Sequence, residues 1–209
     1  MPDTLPVTEE ISGFVIHRRF LDSVSQARIV ADCRDVIAAA PLVQPVTAWG
    51  KPMSVRMTSA GHVGWVIKRG KYRYADRHPE TGAAWPAVPA SVLAVWDTVA
   101  GWPEPPSSCL INWYGPTSRM GLHQDKDEGR FDAPVVSISL GDPGRFRMGG
   151  EARKDATVST ILSSGDVVVM GGNARMAYHG IDRILRPDGG SPLEAPGRLN
   201  LTLRVVVRS

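Results

Sequence analysis

No run of about 18 apolar residues occurs in this 209-residue chain, so nothing in it reads as a membrane-spanning helix. Its acidic opening, MPDTLPVTEE, lacks the apolar stretch of a secretion signal. Cysteine is nearly absent: Cys33 and Cys109 are the only two, far apart and outside any Cys-x-x-Cys spacing. That argues against a disulfide framework and against a thiolate zinc site. Internal repeats and low-complexity tracts are missing too. So are a Gly-rich loop followed by Lys-Ser/Thr and a nucleophile elbow, which removes phosphate-loop and serine-hydrolase readings. The expectation is a soluble, cytoplasmic protein, and nothing in the sequence demands more than a monomer.

What is present describes a globular chain. Hydrophobic residues make up 43% and charged ones 22%, ordinary values for a single domain with a substantial core. With 21 Gly and 17 Pro, turns are frequent and strands short. Residues 1–20 read as an entry segment in which Phe14, Ile16 and Phe20 can pack. Ser23 to Gln26 has capping-box spacing before an apolar periodicity that predicts a helix over 23–39, stopped by Pro41. Pro89 before and Gly101 after predict a second helix over 90–100. Two or three short strands fit residues 42–77. Eight strands are expected beyond residue 107, at about 108–114, 121–125, 134–141, 145–149, 158–162, 166–170, 176–180 and 198–208. Close spacing without intervening helices points to two antiparallel sheets in a jelly roll.

Charge is mild overall, at +3, but unevenly spread. From Lys51 to Arg77 there are seven basic residues (Lys51, Arg56, Lys68, Arg69, Lys71, Arg73 and Arg77) against Asp76 alone. Trp65, Tyr72 and Tyr74 lie among them. Cations interleaved with aromatics suit a polyanion whose bases can stack; a solvated hairpin has the same composition.

Chemistry concentrates in Cys109 to Leu140. His123 and Asp125 are two apart, so in an extended chain they share a face. His179, after the Gly171-Gly172 turn, is the candidate third ligand. Two His and one carboxylate form the facial triad of non-haem Fe(II) oxygenases, which leaves positions open for a co-substrate and O2. An EF-hand reading of Asp125-Lys-Asp127-Glu128 fails, because Arg130 stands where a glycine is required. In the last strand Leu199, Leu201 and Leu203 share one face, and Arg198, Asn200, Thr202 and Arg204 the other. If that polar face turns inward, its guanidiniums need partners, and a dicarboxylate matches their fork geometry. Asn112 and Tyr114 likewise share a face, opposite Ile111 and Trp113.

These residues resemble the AlkB-type Fe(II)- and 2-oxoglutarate-dependent dioxygenases from about Pro52 to Arg204. The likeness is carried by Met53-Ser-Val, Gly61-His-Val-Gly-Trp65, Cys109-Leu-Ile-Asn112 with Tyr114, Leu122-His-Gln-Asp-Lys-Asp-Glu128, Pro134 to Leu140, Gly165 to Val169, Tyr178-His-Gly180 and Asn200-Leu-Thr. The resemblance implies a mainly β fold with N-terminal helices. One catalytic domain over 1–209 would comprise a helical extension (1–41), a nucleotide-recognition lid (42–80) and a double-stranded β-helix core (108–209). It implies Fe(II) on His123, Asp125 and His179. It implies 2-oxoglutarate on Asn112, Tyr114, Arg198, Asn200 and Arg204, with Arg204 at the distal carboxylate. For the substrate it implies Trp65 stacking on the damaged base, Tyr72, Arg73 and Tyr74 along the phosphates, and Asp127 and Arg153 nearby. The implied reaction is oxidative demethylation of bases such as 1-methyladenine and 3-methylcytosine in alkylated DNA, single-stranded in preference, with RNA a second candidate. It would use O2 and release formaldehyde, succinate and CO2. The alternatives are a 2-oxoglutarate-dependent hydroxylase of RNA, protein or a small molecule, and a binding module without chemistry.

Overall fold

A computed structural model describes residues 6–47, 49–68, 70–186 and 190–207. In chain order the elements are β1 (Val7–Ile11), β2 (Phe14–Arg18), α1 (Ser23–Ala39), β3 (Val55–Gly61), β4 (Gly64–Lys68), β5 (Lys71–Ala75), α2 (Ala90–Val99), β6 (Ser108–Tyr114), β7 (Met120–His123), β8 (Val135–Gly141), β9 (Gly144–Met148), β10 (Val158–Leu162), β11 (Val167–Met170), β12 (His179–Ile184) and β13 (Arg198–Arg204). The eight C-terminal strands split four and four. β11, β8, β13 and β6 form the middle of a larger sheet, ordered β1-β2-β11-β8-β13-β6-β3, and β10-β9-β12-β7 form the smaller one. Every strand pairing in these two sheets is antiparallel, which is the expected jelly roll. β4 and β5 stand apart as a two-stranded hairpin.

Two apolar layers hold this together, one on each face of the larger sheet. Leu199, Leu201 and Leu203 pack with Ile29, Val30 and Cys33 of α1 and Val92, Val95 and Trp96 of α2. Between the sheets lie Phe14, Ile16, Leu110, Phe146, Met148 and Ile181. Each leucine of β13 is at most 4% exposed, worth about 1.5–3 kcal/mol of transfer free energy apiece. The alternate residues Arg198, Thr202 and Arg204 are also buried, at 0%, 5% and 5%. β13 therefore has no solvent face, and its polar side lines the interior of the sandwich.

Several expectations change. The N-terminal 1–41 is not simply a helical extension, because β1 and β2 form a hairpin that adds to the edge of the larger sheet beside β11. Its turn needs two consecutive positive φ values, at Ser12 (53°) and Gly13 (83°), the geometry of a tight hairpin turn. The helix cap is Asp22, whose carboxylate accepts from Ser25 N at 2.8 Å. Gln26 reaches Leu21 O instead of closing a capping box. α2 stops at Val99, with Gly101 at φ +58° just beyond. The span 42–80 is not one lid: β3 belongs to the larger sheet, paired along its length with β6, and only β4-β5 and the flanking loops stand over it. The last strand ends at Arg204; residue 208 and Arg69 lie outside the described residues. Among the described residues no helix is long and apolar enough to cross a membrane.

Trp85 fixes the base of the hairpin. Its indole donates to Ala75 O at 2.8 Å and packs with Val66 and Ala40. Gly64 makes the approach possible, since a Cβ there would lie 2.3 Å from the Trp85 ring and 2.7 Å from Ser59 Cβ. Gly64→Ala should therefore destabilise the protein by about 1–3 kcal/mol through overpacking, read as a lower urea midpoint. An unchanged midpoint would show that Trp85 shifts freely and does not brace the hairpin.

Candidate metal centre and its two chambers

His123 ends β7, and His179 opens β12 directly opposite it in register. Gly180 lets these strands close up: a Cβ there would sit 2.6 Å from Met120 O and 2.8 Å from Gly121 O. The two imidazoles consequently lie 4.6 Å apart, centroid to centroid. Asp125, two residues past His123, brings its carboxylate to 3.8 Å from His123 Nε2 and 3.9 Å from His179 Nε2. One ligand atom from each of the three falls within 4.8 Å of the others, a group able to hold a metal ion.

Protonation favours that use. His123 Nδ1 is 3.0 Å from Gly121 O and His179 Nδ1 is 3.1 Å from Ala177 O. A carbonyl only accepts, so both Nδ1 atoms carry the proton and both Nε2 lone pairs face Asp125. Burial, with His123 beside it, lowers the His179 pKa to about 4, which keeps the ring neutral at pH 7. Burial alone would raise the Asp125 carboxyl; the Arg204 guanidinium, then His179 and His123, outweigh it, and the net shift is downward. Arg204 donates to both Asp125 oxygens, at 3.0 and 3.3 Å, and lies 3.2 Å from Glu128.

The group stands where two cavities meet, and His123, Asp125 and Arg204 line both. The inner chamber, inside the sandwich, is also lined by Asn112, Tyr114, Arg198 and Asn200. Three buried polar atoms on its lining residues have no hydrogen-bond partner among the described residues: Asn112 Oδ1, Arg198 Nε and Arg204 Nη1. Arg198 donates to Ser139 Oγ (2.6 Å) and the carbonyls of Leu162 and Asp142, and no ion pair to it occurs among the described residues. Burial pushes its pKa down to about 10, with Tyr114 and Asp166 opposing. Asn200 is already used within the protein, bonding to Ser137 Oγ and Ile138 O.

The outer chamber, about 270 Å³, opens under the β4-β5 hairpin and is lined by Trp65, Tyr72, Asp127 and Arg153. Tyr72 stacks on Trp65 with ring centroids 5.3 Å apart and an interplanar angle of 16°. The Trp65 indole donates to Asp127 at 3.0 Å. Arg153 donates to Leu122 O and lies over the Tyr178 ring.

Two expected substrate residues sit elsewhere. The Tyr74 hydroxyl points inward and donates to Glu128 at 2.9 Å, because Tyr74 pairs with Trp65 on the inner face of the hairpin. Arg73 pairs with Val66, so the two-residue alternation places it on the opposite face, and it does not line the chamber. Sequence reasoning missed the buried pair Arg175 and Glu128. Arg175 donates to Asp125 O, Ala133 O and Arg130 O and to the Glu128 carboxylate at 3.3 Å, stapling the loop that carries Asp125. Glu128 was visible only as part of an acidic run, and nothing in the sequence distinguishes Arg175 from a surface arginine.

Gly180→Ala should push β12 from β7 and spread the two imidazoles. We expect Co(II) affinity, followed by visible absorption, to fall at least about tenfold. Wild-type affinity in the variant would mean that strand approach does not set the ligand geometry.

Comparison with known proteins agrees with this geometry. The chain is 50% identical over 194 residues to an "Alpha-ketoglutarate-dependent dioxygenase AlkB homolog" of Caulobacter vibrioides, covering 93% of this chain and 88% of the relative. It is 42% identical over 207 residues to the "Alpha-ketoglutarate-dependent dioxygenase AlkB" of Escherichia coli, covering 97% and 94%. A solved structure described as that of OsALKBH1 superposes with a TM-score of 0.80 at 28% identity, covering 95% of this chain and 99% of that one. Residues 13–204 match the family model of the 2OG-Fe(II) oxygenase superfamily, and the chain belongs to that family.

Proposed function

We propose that the protein is an Fe(II)- and 2-oxoglutarate-dependent dioxygenase that demethylates ring nitrogens of nucleobases in DNA, with RNA the second candidate. The observation that carries this is the His123-Asp125-His179 group at the junction of two unlike chambers. The inner one has unpartnered donors for a dicarboxylate, and the outer one has aromatic walls and a carboxylate for a cationic base. When bound, Fe(II) with 2-oxoglutarate and O2 supplies an oxidation that turns the co-substrate into succinate and CO2 and hydroxylates the N-methyl carbon, which then leaves as formaldehyde.

The chain's own residues divide the remaining work. His123, Asp125 and His179 hold the metal with Nε2 and carboxylate oxygens. Arg204 keeps Asp125 ionised and aimed, and its free Nη1 is available to the near end of the co-substrate. Arg198 takes the distal carboxylate, in place of the expected Arg204. Arg204 already shares its charge with Asp125 and Glu128, whereas Arg198 is a buried cation that forms no ion pair among the described residues, and such a charge is costly unless a ligand compensates it. Tyr114 and Asn112 line the same chamber.

In the outer chamber Trp65 offers an aromatic face to the base, and Asp127 offers an acceptor for the exocyclic amine of a cationic 1-methyladenine or 3-methylcytosine. Tyr72 and Arg153 flank the opening and suit the phosphates. A methyl group on the pairing edge is out of reach in a stacked duplex, so the base must come from a single strand or be flipped out; single-stranded substrate is favoured. Nothing in the site requires a second subunit or a membrane, and we place the enzyme as a cytoplasmic monomer.

A single-stranded oligonucleotide bearing one 1-methyladenine should lose about 14 Da, the mass of a CH2 unit, in a mass spectrum after incubation with Fe(II), 2-oxoglutarate and ascorbate in air. Asp125→Ala should abolish the loss without unfolding the chain. Succinate formation without demethylation would refute the substrate and move the search to RNA and then protein. Arg198→Gln should raise the 2-oxoglutarate KM on the order of 10- to 100-fold, the worth of a charge-assisted bond, with Co(II) affinity unchanged. An unaltered KM would remove Arg198 from the distal carboxylate.

A further inference from the structure

The loop between α1 and β3 carries Trp49, which is 88% exposed, the most exposed large apolar side chain among the described residues. Its turn is well braced. Thr47 N donates to Lys51 O (2.9 Å), Gly50 N to Thr47 O (2.9 Å), and Thr47 Oγ1 to Lys51 O (3.0 Å). Gly50 supplies φ +75°. Behind the turn, Val46 bridges Pro52, Met53 N donates to Pro45 O, and the Gln44 amide donates to Met53 O. Trp49 is thus displayed between hydrogen-bonded Thr47, Gly50 and Lys51, with Ala48 outside the described residues.

This loop forms one wall of a cavity of about 510 Å³. The opposite side is made by Trp65, Val66 and Ile67 of β4 with Trp85. Met57 and Trp65 line both this cavity and the outer chamber of the metal site. The two spaces therefore abut across the very indole proposed to stack on the target base.

We infer that Trp49 is a second stacking platform, and that its loop and the β4-β5 hairpin clasp an unpaired base next to the target base in the same strand. The inference rests on the nucleic-acid reading of the site, and Trp65, which borders both spaces, links the two positions. Trp49 does not itself line the cavity; its exposed indole suits the face of a base, and base-on-aromatic stacking tolerates any sequence. Lys51, two residues from Trp49, and Lys68, Lys71 and Arg73 on the hairpin supply cations for the phosphates. Glu80, among the described residues the only carboxylate lining the cavity, would repel a phosphate, so the backbone keeps to the basic rim while the base stacks on the exposed face of Trp49. A base stacked on Trp49 has left its duplex, which makes the loop a determinant of single-strand preference.

The test uses the intact protein loaded with Co(II) and 2-oxoglutarate, with Trp49→Ala and Trp49→Phe beside wild type. The probes are a fluorescent single-stranded 10-mer carrying one 1-methyladenine, read by anisotropy, and 1-methyladenosine 5′-monophosphate, read by Fe(II)-dependent formaldehyde release. Trp49→Ala should weaken the 10-mer on the order of tenfold or more, Trp49→Phe should recover most of that, and neither should change the mononucleotide reaction. Equal 10-mer affinity in wild type and Trp49→Ala, with wild type demethylating normally, overturns the inference and leaves the function standing. Trp49-dependent binding without demethylation does the reverse. Dimerisation that Trp49→Ala abolishes, at unchanged 10-mer affinity, would assign the loop to a second copy of the chain and likewise overturn it.

Discussion

The arrangement depends on one buried guanidinium. Arg204, 5% exposed, sits between the carboxylates of Asp125 and Glu128, and Arg175 closes the far side of Glu128. Two cations and two anions share an interior where an unpaired charge costs several kcal/mol. The four balance one another, and the electrostatics leave only narrow freedom to the loop from 125 to 133. Such a network contributes little net stability compared with apolar side chains of the same size. Its effect here is to fix where one carboxylate points, at a junction where a metal needs it.

That constraint also explains β13. An alternating strand in an antiparallel sheet usually has one dry and one wet face, and Leu199, Leu201 and Leu203 behave as the dry face should. The other face stays inside because Arg204 finds its carboxylates there, and because Arg198 is satisfied on three acceptors and still has an open Nε. A strand buried on both sides, polar on one, is a costly element without a ligand, and the inner chamber is where that cost can be offset.

Much of this was legible in the sequence, for identifiable reasons. The pair His123-x-Asp125, the later His179 and the leucine alternation each rest on a local period that the fold preserves. The β1-β2 hairpin could have been read from Ser12-Gly13 between two strand-like runs, yet five-residue strands give a weak signal. Arg175 and Glu128 were out of reach, because pairing across 47 residues leaves no periodic trace. The inner facing of Tyr74 and outer facing of Arg73 depend on which face of the hairpin turns to the core, and neighbouring residues in a strand necessarily answer that question in opposite ways.

The hairpin and the metal group are more closely joined than their separation in the chain suggests. Trp65 bonds to Asp127 and its cross-strand partner Tyr74 bonds to Glu128, so one rung of β4-β5 holds two residues of the segment that begins at Asp125. Burial keeps the Tyr74 phenol protonated, its pKa raised well above the ordinary value despite the opposing pull of Arg204, so it remains a donor to Glu128 across the working pH range. A displacement of that rung is then felt by Glu128, by Arg204 through Glu128, and by Asp125 through Arg204, each step being a direct contact of 3.3 Å or less. The surface proposed to receive a base and the carboxylate that would hold the metal are thus parts of one hydrogen-bonded body, and neither can be repositioned without disturbing a buried charge.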